Sequence, residues 1–228
     1  FQVNLELCKT PFRADWDAIS MGYSAFDTLP PDFASFLVAH VAEKVATKIE
    51  NNIWQGADGT EGEFDGLVAL ATADATVVDV VGTTVTAANV IDELGKVVDA
   101  IPAALYGSAD LKIYVAQNVY KSYVRSLGGF ASNVGSNGVN GQGTNQSLGD
   151  VMFDGVPVFV ANGLANNYIV AAESSNLFFA TGLLSDENEV KVLDMQDLDG
   201  SQNVRVILRF TATVNYAYGS EVVLYTPA

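Results

Sequence analysis

The chain contains one histidine, His40, and one cysteine, Cys8, so any nucleophile–histidine chemistry would have to use one or both of them. His40 sits beside Val41 in the middle of a stretch with helical periodicity, where a structural role is the simpler reading. Cys8 has no glycine elbow and no second cysteine nearby, so a catalytic thiol is not expected. A single cysteine also excludes an internal disulfide and a multi-cysteine zinc site. The acidic run Asp194 to Gly200, DMQDLDG, has the composition of a calcium loop. If Gly200 were the sixth position of such a loop, Met195 would fall at the first and Val206 at the twelfth, and two oxygen ligands would be missing. A solvated acidic turn fits better. Asp58 to Asp65 has even less ligand pattern. Gly141 to Gln146, GQGTNQ, lacks the third glycine and the following basic residue of a phosphate cradle, so it reads as loop composition. Asn145-Gln146-Ser147 spells a glycosylation site, expected to be empty without secretion. The residues therefore nominate no catalytic, cofactor-binding or metal-binding position, and no cofactor and no enzymatic activity are expected.

The surrounding elements are more informative. From Leu29 to Gly56 the apolar residues Phe33, Leu37, Val41, Val45, Ile49 and Ile53 recur every four places, and Phe36, Val38, Ala42 and Ala46 widen the stripe. This spacing predicts an amphipathic helix. Pro30 and Pro31 can open it, because a proline in the first turn gives up only an N–H without an intrahelical partner. Asp32 suits the positive end of the dipole, and Gly56 ends the helix. At about 1.5 Å per residue it would be roughly 36 Å long, a spine with one polar side and one side to pack.

The sequence has 228 residues, enough for one large domain or two small ones. Apolar residues make up 49% and charged residues 17%, against a usual charged share of about 25%. Mean hydropathy is positive, at +0.22. No apolar run reaches the roughly 18–20 residues of a membrane helix, so surplus apolar surface points to contacts between subunits. The formal charge is −16, from 27 acids against 11 bases. A polyanion without a basic tract repels phosphate backbones and anionic lipid, which argues against tight nucleic-acid or membrane binding. The sequence starts at Phe1 with neither initiator Met nor a charged-then-apolar leader, so upstream residues are expected to have been cleaved off or left out.

In chain order, FQVNLEL at 1–7 reads as a strand leading into an extended arm. Gly56 to Gly66 holds four acids and four glycines, a composition shift that suggests a domain boundary. Thr76 to Gly82 reads as a strand. Thr86 fits the cap of a helix running to about Ala100, with Val90, Leu94, Val97, Val98 and Ile101 inward and Asn89, Asp92, Glu93, Lys96 and Asp99 outward. Leu111 to Ala116 is the next strand and Asn118 to Leu127 a second helix, which gives an α/β layer. Gly128 to Gly149 has seven glycines, four asparagines and no charge, the composition of a long loop shaped by a neighbouring molecule or mobile. A hairpin is expected around Asp154 and Gly155, followed by the strands YIVAAE and NLFFAT. Residues 185–200 carry six acids and one lysine. The chain then reads as one long alternating strand, NVRVILRFTATVNYA, a break at Gly219, and EVVLY. No internal repeat is present.

Several of these stretches together carry a resemblance: an extended arm, a long helix ending EKVATKIENNIWQG, a short acidic link, FDGL, an α/β segment, VMFDGVPVFVAN, and the closing NVRVILRFTATVNYAYGSEVVLY. In that order they resemble the major capsid protein of tailed bacteriophages, the Hong Kong 97-type shell fold. The resemblance spans nearly the whole chain and rests on arrangement. It implies an α+β fold with an N-terminal arm and short extended loop at 1–28. A peripheral domain of spine helix and long strand would take 29–63 and 186–214, and an inserted α/β axial domain 64–185 and 215–228. It further implies self-assembly as hexamers and pentamers into an icosahedral virion shell enclosing the genome, formed in the host cytoplasm. Portal, scaffolding or decoration proteins would be further partners, packaged DNA would be touched only weakly, and no membrane would be involved. The long two-stranded extension usual before the spine helix has only about 28 residues available here. Some members of the family cross-link a lysine to an asparagine; Lys9, Asn203 and Asn215 are not singled out for this by their spacing.

The composition agrees with this resemblance, since a shell needs apolar contact area and an acidic surface over which DNA slides. Three other readings stand beside it: an encapsulin-type nanocompartment shell, a secreted or tail-associated binding module using the glycine loop, and a hydrolase built from scattered acids.

Overall fold

The computed structural model describes residues 2–8, 31–60, 62–127, 151–182, 190–209 and 211–228. The chain divides into two compact units, 1–49 with 181–212, and 50–180 with 213–228.

In the first unit, strand β1 (Gln2–Cys8) confirms the alternation at the start of the sequence. It pairs antiparallel with β9 (Asn203–Arg209), which pairs antiparallel with β8 (Val190–Asp194). The register sets Leu5 opposite Val206 and Val206 opposite Val192, so one face is apolar, with Val204 and Val206 buried. On the other face Glu6 opposes Arg205 at 2.8 Å and accepts a hydrogen bond from Asn203 Nδ2 at 2.7 Å. These two donors hold the Glu6 carboxyl below its ordinary range. Helix α1 (Pro31–Gln55) is the expected spine, opening on proline and closing at Gly56. Val41 on its apolar stripe is buried.

The second unit is built on a six-stranded mixed sheet in the order β2-β11-β6-β3-β5-β4. Its strands are β2 (Val78–Gly82), β3 (Leu111–Val115), β4 (Met152–Phe153), β5 (Val156–Val160), β6 (Ile169–Glu173) and β11 (Val223–Pro227). Strand β11 lies parallel to β2 and antiparallel to β6. Val223, Leu224 and Tyr225 are consecutive and all buried, so both faces of β11 are covered, as are those of β6 at Ile169 to Ala172. Helices α2 (Leu67–Ala73) and α3 (Val90–Asp99) both contact β11, and α3 packs with α4 (Gln117–Ser126). Trp54, from the end of α1, meets the ring of Tyr114 at 5.2 Å. The β4–β5 hairpin turns at Asp154 and Gly155, with φ of 46° and 81°, the left-handed pair a two-residue turn requires. A two-stranded ribbon joins β7 (Leu177–Thr181) to β10 (Ala212–Tyr216).

Three sequence expectations need correction. The closing segment is two strands, with β9 and β10 in different sheets. Val204, Val206 and Val214 are all buried even-numbered residues, so the period of two runs on through a change of partner that it cannot register. Helix α3 starts at Val90 with Asn89 as its cap residue. Thr86 donates through its backbone N–H and its hydroxyl to Asn89 Oδ1, at 2.7 and 2.9 Å, and so shapes the turn before the helix. Glu93, expected outward, is buried. Strand β8 lies within the acidic stretch 185–200, and the run Asp194 to Gly200, expected as a solvated acidic turn, holds the one-turn helix α5 (Gln196–Asp199). The glycine loop 128–149, with Asn145 and Gly141 to Gln146, and Lys9 in the arm lie outside the described residues.

Candidate assembly surfaces

Cys8 is an exposed thiol at the end of β1, opposite Asn203. His40 is half-buried on α1. Asp194 Oδ1 accepts from Gln196 N–H and Asp199 Oδ1 from Ser201 N–H, at 3.1 and 2.9 Å, and Gly200 closes α5 with φ of 72°. These acids are spent on shaping a turn. In the acidic link, Asp65 accepts from the N–H of Asp58 and Glu63 from that of Ala57. Among the described residues no group of three His, Cys, Asp or Glu could hold a metal ion. No helix among them is long and apolar enough to cross a membrane.

The polar groups that are buried serve to join segments. Glu93 is only 4% exposed. Its carboxylate meets the Tyr225 hydroxyl at 2.7 Å, the Thr83 hydroxyl at 3.0 Å and Lys96 Nζ at 3.0 Å. Burial alone would raise its pKa. The hydrogen bonds from Tyr225, Lys96 and Thr83 outweigh it and hold the carboxyl below its ordinary value. Burial, and then the Glu93 charge, push the Tyr225 phenol upward. The spacing Val90, Glu93, Val97 puts Glu93 on the apolar stripe of α3, and that was the sequence signal for its burial.

Three further junctions follow the same logic. Asp110 accepts from the hydroxyl of Ser174 and from the N–H of Ser175, and these bonds hold its carboxyl at about 2. Tyr216 donates to Asp74 Oδ2 at 2.9 Å; burial and this carboxylate push its phenol up to about 12. Buried Asn176 receives the N–H groups of Ala217 and Tyr218 on Oδ1 and donates to the Tyr218 carbonyl.

Between α3, the end of α4 and the β4–β5 turn lies an open groove of about 710 Å³, lined by Ile91, Asp92, Asp99, Leu127, Met152 and Asp154 among others. Ile91 and Met152 are 49% and 52% exposed. The groove joins apolar rims to carboxylates and contains no nucleophile–base pair, so what it offers chemically is a contact surface.

No family model matches the sequence, and no curated protein matches it. Solved structures do. A chain of the satellite phage P4 procapsid aligns with 99% of this chain and 74% of its own length, at 10% identity and a TM-score of 0.61. The capsid of cyanophage A-1(L) aligns over 98% and 76%, at 14% identity and a TM-score of 0.58. The SrpI encapsulin of Synechococcus elongatus aligns over 99% and 72%, at 12% identity and a TM-score of 0.60. The class is thereby defined: this is an α+β chain with the fold of phage capsid and encapsulin shell proteins. It is the Hong Kong 97-type fold that the sequence resembles.

Proposed function

We propose that the chain is the major capsid protein of a tailed phage, a structural subunit without enzymatic activity that assembles with many copies of itself into the icosahedral shell enclosing the genome. The observation that carries this reading is the alignment of 98–99% of the chain with solved phage capsid structures. The acidic, apolar composition and the exposed rims of the groove support it, because a shell subunit needs contact area and little adhesion to DNA. Residues 29–63 and 186–214 serve as the peripheral domain and 64–185 with 215–228 as the axial domain, around hexameric and pentameric capsomers. Assembly takes place in the host cytoplasm, with portal, scaffolding or decoration proteins as further partners. Negative-stain microscopy of the purified protein tests the reading: closed shells are expected, and a stable monomer at all concentrations overturns it.

The encapsulin neighbour supports a second reading, a nanocompartment shell around cargo protein. Nuclease-protected DNA inside purified particles favours the capsid; an enclosed protein without DNA favours the compartment.

A further inference from the structure

In a chain of net charge −16, contact between copies carries a repulsive electrostatic term, which is relieved where a cation of one copy meets an acid of the next. Exposed cations without an ion-pair partner are few among the described residues, and two of them, Lys44 and Arg209, lie in the first unit. Lys96 is committed to Glu93 and Arg205 to Glu6. Lys121 and Arg125 on α4 are exposed and have no ion-pair partner among the described residues. They stand four residues apart and so share one face of the helix. Two residues on from Lys121, Tyr123 is turned about 200° away, and with Leu127 it lines the groove on the opposite side. That groove carries Asp92, Asp99 and Asp154, none of which has a cationic partner among the described residues, between the apolar rims Ile91 and Met152; the one cation lining it, Lys96, is paired with Glu93.

We propose that the groove of one copy receives the Lys121/Arg125 face of a second copy. One face of α4 gives cations and the other helps to wall an acidic groove, so the contact is head-to-tail. Repeated around an axis, such a contact builds a ring of subunits. The apolar rims contribute area, and the charges set register and rate of encounter. This inference rests on the shell reading and specifies one of its seams.

The test compares the wild-type chain with Lys121→Glu/Arg125→Glu, with Asp92→Lys/Asp99→Lys, and with the chain carrying all four changes. Each pair alone is expected to raise the concentration needed for assembly by about tenfold or more, and the four together to restore it. Thermal melting of the unassembled variants checks that they are folded. A second measurement uses wild-type particles grown from a mixture of light- and heavy-nitrogen chains and joined by a zero-length carbodiimide. Amide links between copies from Lys121 to Asp92, Asp99 or Asp154 are expected. Folded variants that assemble at the wild-type concentration, or particles in which Lys121 is never joined to those acids, overturn the inference alone. A wild-type chain that never associates overturns the shell reading and the inference with it.

Discussion

The hydroxyl of Tyr225 and the carboxylate of Glu93 meet at 2.7 Å inside the second unit, joining strand β11 to helix α3. The same hydroxyl lies 2.7 Å from the carbonyl of Thr83, so one proton serves two acceptors. Tyr225→Phe removes a donor from a buried charge and leaves the space filled. It is expected to lower stability by about 1–3 kcal/mol, read as a shift of the urea midpoint at constant slope. A midpoint equal to wild type would mean that Lys96 and Thr83 satisfy the carboxylate unaided.

Acid should loosen the second unit through groups that can be named. Glu93 and Asp110 have pKa values depressed in the fold, Asp110 from 3.8 to about 2. Their contribution to stability is therefore present above the unfolded values and is lost as pH falls through the folded ones. For Asp110 that window runs from about pH 4 to about pH 2. Asp110→Asn should flatten the decline of denaturation midpoints across this window, and an unaltered slope would show that the Ser174 and Ser175 bonds do not discriminate between the two protonation states.

At the alkaline end the sign reverses. Tyr216 is raised from 10.0 to about 12, so its contribution is complete below pH 10 and disappears as pH rises through about 12. A phenolate absorbance titration is expected to show Tyr216 and Tyr225 ionising above the ordinary tyrosine range. Tyr216→Phe should remove one late-titrating group. If every tyrosine ionised together while the chain remained folded, the Asp74 junction would not exist in solution.

Two glycines make a contrast. A Cβ on Gly163 would stand 2.1 Å from the carbonyl oxygen of Glu50, a backbone atom that cannot swing aside, whereas a Cβ on Gly95 meets nothing within 4 Å. Gly163→Ala is expected to cost about 1–3 kcal/mol. Gly95→Ala, inside helix α3, should stabilise by about 0.5–1 kcal/mol. Calorimetric melting of the two variants beside wild type decides both.

Much of this architecture was legible because each element carries its own period. The four-residue recurrence from Phe33 to Ile53 gave the spine helix nearly to its ends, and Asp154-Gly155 gave the hairpin from turn chemistry alone. Partnership between distant segments was not legible. Nothing local tells Val223 that it will lie beside Val78, or that β9 and β10 part company while their alternation continues. The place of Glu93 on the apolar stripe of α3 hinted at its burial, but the hydroxyls of Thr83 and Tyr225 that satisfy it come from distant parts of the chain, and only the fold brings them to it. The groove was hidden too, since it exists only where α3, α4 and the Asp154 turn converge.

The position of β11 has a consequence during synthesis. This strand is formed by residues 223–227 yet fills the place between β2 and β6. A nascent chain still held in the ribosome before residue 227 therefore has an unfilled slot in its principal sheet, with Val78 and Ile169 to Ala171 lacking their neighbour. The sheet of this unit therefore closes only once residues 223–227 have left the ribosome, and a chain stopped short of them keeps an open gap between β2 and β6.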